Sequence, residues 1–330
     1  MVQFIALLAV VVATLAIVAA WARFGLDEDV ALGSVRLGSE GPTGIAAAEV
    51  PAGHLRLVVP GLVSQGRYLE AEVSNAAILQ GGATLVTVPD GVSATVHVFG
   101  RSYRLEPSAD GSRLEGFVGI GVLDPPGETT LTVEAVDRLG TNTLIERPIT
   151  IVATDWTVDY IVLPPGVGAG LTPEVVRAEE DLLATTYAGL TPRLWQTPFV
   201  VPLDEPRITG YFGEQRSFGG GPPAGHHGGT DFGAFEGTSV YATNRGTVVI
   251  ARLLAVRGSM VIIDHGGGVF SGYAHLSRVD VVEGQVVETG QVVGGVGTTG
   301  LSTGNHLHWE LAVAGILVDG LRWVDGSQGY

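Results

Sequence analysis

The sequence predicts an all-β protein, and three features of its composition favour that fold class. The chain has 330 residues, enough for two compact domains, and 45% of them are hydrophobic, as in proteins that bury a core. Glycine (49 residues) and proline (17 residues) are abundant, and valine-rich runs recur along the chain. These residue types favour short strands joined by tight turns over packed helices.

Residues 1–24 contain an uninterrupted apolar stretch, Phe4 to Ala22. Its length of about nineteen residues is near the roughly 20 needed to span a bilayer, so it predicts a transmembrane anchor. The small residues Ala20 and Ala22 resemble a signal-peptidase site, so a cleaved signal peptide is the alternative. Residues 25–52 form a polar, glycine-rich spacer that begins with acidic residues. We expect the remainder to be translocated, giving an extracytoplasmic protein that is membrane-anchored or secreted.

Residues 53–153 contain short β-prone runs separated by turn signals such as Pro89-Asp90-Gly91. Strands of this length and spacing over about 100 residues are typical of a β-sandwich of immunoglobulin type. The chain has no cysteine, so this prediction depends on the strand pattern alone. The predicted strands are His54 to Val59, Tyr68 to Val73, Thr84 to Val88, Ala94 to Phe99, Ser102 to Leu105, Arg113 to Val118, Thr129 to Val136 and Thr141 to Val152.

Residues 154–199 differ from the segments on either side and predict a connector with one helix. After a Pro-Pro-Gly break, Thr172 is a suitable N-cap, Pro173 occupies the first helical position, and an amphipathic run extends through Tyr187. Alternating strand patterns resume at Phe199, with glycine at most turns. Residues 200–325 are therefore predicted to form the second, antiparallel β domain.

Charge and residue types exclude several classes of function. The formal net charge is -16, which repels phosphate backbones, so we expect no nucleic acid partner. Every basic residue is arginine, which excludes chemistry that needs a lysine amine. Because the chain has no cysteine, any metal must be held by histidine and carboxylate side chains.

Six of the eight histidines lie after position 225. His227 and Asp231 are separated by glycines that let an imidazole and a carboxylate turn toward one point. His306 and His308 point to the same face if they lie on a strand, because side chains alternate with period two. A catalytic zinc site takes three ligands of these types and leaves a position for water. The first pair and one histidine of the second supply such a set.

Three blocks of sequence contain these residues: His227 to Phe232, Gly272 to Leu276 and Thr303 to Leu311. In this order, they resemble the signature blocks of lysostaphin-type (LytM-like) peptidoglycan metalloendopeptidases. The similarity covers roughly Pro202 to Val324. Asn305 stands where the family commonly has proline, and this difference removes no functional group.

The resemblance implies one zinc ion per active site, bound by His227, Asp231 and His308. His275 and His306 are then the catalytic histidines beside the metal. The implied activity is hydrolysis of peptide crosslinks or stem peptides of bacterial peptidoglycan. In such a mechanism, the metal polarises the scissile carbonyl and its water, one imidazole takes the water's proton, and an imidazole stabilises the oxyanion or protonates the leaving amine. Which histidine has which role stays open.

Other polar residues in the chain have ordinary explanations. His226 competes with its neighbour as a ligand, but its spacing to the acidic residue departs from the family pattern. His265 is expected to be a turn residue, and His54 and His97 to be surface or strand residues of the first domain. Glu310 shares a strand face with the paired histidines, and a hydrogen bond to a ligand and a structural salt bridge are both open.

Two other functions are compatible with parts of the sequence. The resembling family includes degenerate members that lack ligands and regulate other cell-wall hydrolases, which makes a non-catalytic regulator the alternative. The segment from Val282 to Gly294 reads like the hairpin of a lipoyl or biotinyl carrier, but such carriers attach their cofactor to lysine. Peptidoglycan, and the membrane through the N-terminal segment, are therefore the expected partners, and no divisome or other cell-wall protein is identified.

Overall fold

The computed structural model describes residues 69–324 of the chain, and this part is mostly β, as predicted. The expected membrane segment Phe4 to Ala22, the spacer 25–52 and the predicted strand His54 to Val59 lie outside the described residues. Neither of the two helices within residues 69–324 combines the length and apolar character that crossing a bilayer requires.

Eight strands form the N-terminal β domain in the part of the chain that begins at Leu69. Buried and exposed side chains alternate along them, as Val86 and Val88 of the third strand show. The strands predicted between Thr84 and Val152 are confirmed, whereas β2 is too short to give a periodic signal. The strands are β1 (Glu72–Val73), β2 (Ala77–Leu79), β3 (Ala83–Pro89), β4 (Gly91–Val98), β5 (Arg101–Pro107), β6 (Arg113–Gly119), β7 (Gly127–Asp137) and β8 (Asn142–Val152).

Strand β5 joins the two halves of this domain. It pairs with β4, where Ala94 lies opposite Leu105, and its C-terminal end pairs with β6. The strand order is therefore β1-β3-β6-β5-β4-β7-β8-β2, with β2 parallel to β8. Val86 from the first half and Val133 from the second belong to the same hydrophobic core.

The connector contains the predicted helix, α1 (Pro173–Tyr187). The Thr172 side chain caps it by accepting a hydrogen bond from the backbone N–H of Val175 at 3.4 Å, and proline occupies the first turn. The helix buries one face. The buried residues recur every four positions: Glu179, Leu183 and Tyr187.

Before α1, the connector also forms a strand that the sequence analysis missed, β9 (Val158–Ile161). It pairs in parallel with β11 (Gln215–Phe218) of the following domain. Regular strands of that domain begin at Ile208, later than the predicted Phe199.

The C-terminal domain is built on a twisted antiparallel sheet with the strand order β10-β12-β20-β16-β15-β14-β18, and β21 pairs with β20. A small sheet, β13-β19-β17, packs beside it. The remaining elements of this domain are β10 (Ile208–Gly210), β12 (Thr230–Gly233), β13 (Ser239–Tyr241), β14 (Gly246–Leu254), β15 (Gly258–Gly266), β16 (Val269–Leu276), β17 (Arg278–Val279), β18 (Val286–Val287), β19 (Val292–Gly295), β20 (His306–Val313), β21 (Ile316–Val318) and α2 (Leu321–Val324).

The central strands of this sheet are covered on both faces. One face holds a core that includes Tyr273 and Trp309. The other face packs against α1, where Leu183 and Tyr187 meet Met260. Every residue of β16 is consequently buried, which explains its nearly continuous run of apolar and small residues.

An aromatic cluster joins the two β domains. Phe117 of β6 lies 5.8 Å from Trp195 and 5.3 Å from Trp323, measured between ring centroids. Phe199 packs edge-on against Trp195 at 5.1 Å. Because this cluster is buried and draws on both domains and the connector, it fixes the domains to one another.

We expect the substitution Phe117→Ala to lower the free energy of unfolding by about 3–5 kcal/mol, since it leaves a cavity among buried rings. Urea unfolding followed by tryptophan fluorescence measures this loss. Leu123→Ala, in the same domain but with the leucine 58% exposed, serves as the control and should change stability by less than about 0.5 kcal/mol. Equal losses in the two variants would contradict the buried cluster.

Candidate metal centre

The register between β12 and β20 brings two of the predicted ligands together, because Asp231 lies directly opposite His308. The loop before β12 adds His227. Its Nε2 lies 2.9 Å from His308 Nδ1 and 3.0 Å from Asp231 Oδ1, and the latter two atoms are 2.8 Å apart. The three predicted ligand atoms therefore converge on one point.

The outer nitrogen of each of these two imidazoles is held by the protein. His227 Nδ1 donates to the backbone oxygen of Tyr211 at 2.8 Å, and His308 Nε2 donates to Glu310 Oε1 at 3.1 Å. With their protons on these outer nitrogens, both rings present lone pairs to the shared point, as metal-binding histidines do.

The carboxylate of Asp231 is oriented in the same way. Its Oδ2 accepts from Arg216 Nη2 at 3.2 Å, while Oδ1 faces the two imidazoles. Two nitrogen lone pairs and a carboxylate oxygen this close repel one another unless a cation or a proton lies between them. The donor set therefore fits a divalent metal such as zinc, which prefers nitrogen and oxygen ligands of these types.

The pKa values of the three converging residues are shifted by burial and by their closeness to one another. Burial lowers the pKa of His227 to about 4, so its imidazole stays neutral near pH 7. Burial alone would lower the pKa of His308, but the neighbouring carboxylates of Asp231 and Glu310 raise it. Burial would raise the pKa of Asp231, yet the neighbouring imidazoles of His227 and His308 hold it well below its usual range. The carboxylate is thus ionised and ready to bind a cation.

The glycines between His227 and Asp231 occupy positions where a side chain would not fit, and they do not adopt unusual backbone angles. A β-carbon on Gly229 would lie 2.4 Å from the backbone oxygen of Trp309, and one on Gly228 would lie 2.9 Å from Leu317. Neither glycine has a positive φ. The motif therefore needs glycine because the ligand loop lies directly against β20 and β21.

A β-bulge in β16 sets the position of His275. Ser259 pairs with Leu276, but Val261 pairs with Tyr273, so β16 has one residue more than β15 over this step. His275 occupies the bulge with a φ of 61°, which is rare outside glycine. Residues two apart on a regular strand share a face, so the bulge separates the imidazole from the Tyr273 ring in the core.

His275 and His306 lie next to each other beside the three converging residues. Their ring centroids are 4.8 Å apart, and the His275 ring is 5.9 Å from the His308 ring. His275 Nδ1 donates to the Thr299 oxygen and His306 Nδ1 to the Gly304 oxygen, both at 2.8 Å. Both Nε2 atoms are therefore unprotonated in the neutral rings. Burial and the neighbouring imidazoles lower the pKa of His275 to about 3.

The remaining histidines lie outside this cluster. His226 is half-buried and forms a backbone bridge with Gln215, and it is not one of the converging residues. The expectation that His265 is a turn residue is wrong. It lies in β15, fully buried, with Nε2 2.7 Å from Ser271 Oγ and its ring against Phe199. It is a core residue because the strand continues to Gly266.

Glu310 has both roles that were open from the sequence. It accepts a hydrogen bond from His308, and it forms an ion pair with Arg257 at 2.8 Å. The sequence analysis missed the residues that complete this arrangement, namely Arg216, Arg257, Tyr187 and Glu179. One signal was available, since Glu179 is a charged residue on the otherwise apolar face of α1.

We predict that the buried imidazole of His265 makes stability depend on pH. Its pKa is lowered to about 4 in the folded protein, against 6.5 for an unperturbed histidine. Between these values the unfolded chain binds a proton that the folded chain does not, so stability is lost as the pH falls from 6.5 to 4. The loss is about 3 kcal/mol at most.

Unfolding of the wild type and of His265→Asn at pH 4 to 8 tests this prediction. At pH 8 the wild type should be more stable than His265→Asn. The difference in unfolding free energy between the two proteins should narrow as the pH falls toward 4. A difference that stays constant across this range would show that the folded state does not suppress protonation of His265.

Comparisons with known proteins agree with this arrangement. Residues 225–320 match the model of peptidase family M23. Over 96 residues, the chain is 44% identical to the peptidoglycan DD-endopeptidase ShyA of Vibrio cholerae, covering 29% of this chain and 22% of ShyA. Over 89 residues, it is 43% identical to the DD-carboxypeptidase/endopeptidase Mpg of Neisseria meningitidis, covering 27% of this chain and 20% of Mpg. The chain thus spans about a fifth of the length of these curated relatives.

Structural similarity extends beyond the matched segment. The crystal structure of a putative peptidase M23 from Pseudomonas aeruginosa superimposes with a TM-score of 0.54 and 25% identity, over 74% of this chain and 94% of that chain. The sequence match, the shared fold and the converging histidines and aspartate lead to one assignment. This chain carries a domain of peptidase family M23, to which the motifs of residues 225–320 belong.

Proposed function

We propose that this protein is a zinc-dependent endopeptidase that hydrolyses peptide bonds in bacterial peptidoglycan. The observation that supports this most directly is the convergence of His227, Asp231 and His308 on one point. The name of ShyA, a peptidoglycan DD-endopeptidase, supports the substrate class, and that of Mpg, a DD-carboxypeptidase/endopeptidase, supports the endopeptidase activity. Because the aligned segments cover about a fifth of each relative, the activity of the whole protein is part of what we propose.

The zinc would be held by His227 Nε2, Asp231 Oδ1 and His308 Nδ1. These atoms fit the metal because hydrogen bonds to Tyr211 and Glu310 leave both nitrogens unprotonated toward the shared point. When bound, a catalytic zinc with three protein ligands supplies a Lewis acid for the scissile carbonyl and lowers the pKa of its water to about 7.

We assign the proton transfers to His275 and His306. In each ring, Nδ1 donates to a backbone carbonyl, which fixes the tautomer and leaves Nε2 able to accept a proton from the attacking water. The same imidazole, once protonated, can deliver that proton to the leaving amine or donate a hydrogen bond to the oxyanion. Burial of His275 keeps its imidazole neutral before the reaction, so its Nε2 carries no proton.

The alternative, a non-catalytic regulator of another peptidoglycan hydrolase, is less well supported. Regulators of that kind lack members of the ligand set, whereas here all three predicted ligands and both auxiliary histidines lie together. Hydrolysis of purified peptidoglycan distinguishes the two functions.

We also infer that the N-terminal β domain is an immunoglobulin-like spacer. Without β2, which pairs in parallel with β8, the seven remaining strands can be lettered A to G in sequence; the two halves, β1-β3-β6-β5 and β4-β7-β8, then follow the A-B-E-D and C-F-G orders of that fold. The proposed cell-wall substrate requires an extracytoplasmic location. The N-terminal apolar stretch would then act as an anchor or as an export signal.

We expect the purified full-length protein to contain one zinc ion and to release new amino termini from peptidoglycan. A chelator should remove both zinc and activity, and added zinc should restore them. His308→Ala should lower hydrolysis about a thousandfold or more, because a catalytic metal contributes several kcal/mol. His226→Ala, at the half-buried neighbour of a ligand, is the matched control and should keep zinc and activity. Hydrolysis that survives both chelation and His308→Ala would refute the zinc mechanism.

His275→Ala should separate catalysis from metal binding. We expect kcat to fall about 10²- to 10⁴-fold, the usual contribution of a general acid–base, with the zinc content unchanged. Kinetics on a crosslinked peptide substrate, together with metal analysis of the same sample, provide the measurement. Zinc loss in this variant would instead identify His275 as a ligand.

A further inference from the structure

The connector lies outside the family match at residues 225–320, yet it contacts the residues that hold the metal ligands. Helix α1 covers the face of the sheet on which Glu310 and Gly272 lie opposite one another. Its buried face presents Glu179 and Tyr187, two polar side chains among apolar ones, toward that sheet. A helix that only covered a core would need no buried carboxylate.

Tyr187, at the end of α1, completes the hydrogen bonding of Glu310. The Glu310 carboxylate has no exposed surface. Its Oε1 accepts from Arg257 at 2.8 Å and from His308 at 3.1 Å, and its Oε2 accepts from the Tyr187 hydroxyl at 2.6 Å. Burial raises the pKa of the Tyr187 hydroxyl well above its usual value, so it stays a donor. The hydroxyl thereby fixes the carboxylate that orients His308.

Glu179, two turns earlier in the helix, holds the turn between β14 and β15. Its two carboxylate oxygens accept from the backbone N–H groups of Val256 and Arg257 at 2.7 and 2.9 Å. The backbone oxygen of Arg257 in turn accepts from the backbone N–H of His275 at 2.8 Å. The same turn therefore links α1 to the strained bulge and, through the guanidinium, to Glu310.

Strand β9 of the connector reaches the centre from another element. Asp159 lies opposite Arg216 in the parallel pairing with β11, and Asp159 Oδ2 is 3.1 Å from Arg216 Nη1. The other terminal nitrogen of Arg216 binds Asp231 Oδ2 at 3.2 Å. Connector residues therefore contact the groups that orient two of the three proposed ligands. Tyr187 contacts Glu310, which orients His308, and Asp159 contacts Arg216, which orients Asp231.

We propose that the connector is a working part of the metal centre, in which Tyr187 and Glu179, together with Asp159, are positioning residues for His308, His275 and Asp231. This inference depends on the proposed zinc site. Tyr187 and Glu179 of α1 act through Glu310 and Arg257. Substituting either residue should therefore loosen the ligand geometry and lower the affinity for zinc while the fold is kept.

Tyr187→Phe in the full-length protein tests the inference, because it removes one hydroxyl and leaves the ring packed against Phe270. We expect zinc affinity, measured by competition with a chromophoric chelator, to fall about 10-fold, the lower range for lost outer hydrogen bonds at metal sites. The visible absorption spectrum of the cobalt-substituted variant should also differ from that of the wild type. Tyr103→Phe, which removes another buried hydroxyl in the N-terminal domain, should change neither measurement.

Glu179→Gln tests the same network from its other end. We expect weaker zinc binding and an altered cobalt spectrum, whereas Asp181→Asn on the exposed face of α1 should match the wild type. Thermal unfolding verifies that each variant is folded. If Tyr187→Phe and Glu179→Gln both bind zinc with wild-type affinity, show wild-type cobalt spectra and cleave peptidoglycan, this inference alone is overturned. A wild-type protein that binds no zinc would overturn the proposed function as well.

Discussion

The antiparallel register of β12 against β20 is the constraint on which the centre depends. It places Asp231 opposite His308, and the pairing of β20 with β16 places Ala274 on the other side of the same histidine. A slip of one residue would turn His308 to the opposite face of the sheet, into the core that holds Trp309. The close approach of Gly229 to the Trp309 backbone helps to fix this register.

Around the centre, buried charges stabilise one another in a hydrogen-bonded network. Moving Glu310 out of water carries a penalty of several kcal/mol, which only well-placed partners can offset. Arg257, Tyr187 and His308 supply them, and together they hold the pKa of Glu310 well below its usual range although burial opposes this. Such a network is rigid because displacing any partner weakens the compensation of a buried charge.

Much of the fold could be predicted from the sequence, since strands and caps leave local signals. Short β-prone runs between turn signals predicted strands β3 to β8 of the N-terminal domain, and Thr172 with Pro173 predicted the start of α1. Short elements such as β2 and β9 escaped because three or four residues carry no measurable period. The aromatic cluster that joins the domains combines Phe117 with Trp195, residues far apart in the chain whose contact no local pattern indicates.

The sequence by itself determined which side chains are available for a metal centre and that His306 and His308 share one strand face, because both follow from residue type and period-two geometry. Only the tertiary structure decided that β16 bulges at His275 and that Tyr187, 123 positions from Glu310, completes its hydrogen bonding. The reason is physical: spacing along one strand fixes local geometry, whereas contacts between elements arise from how they pack.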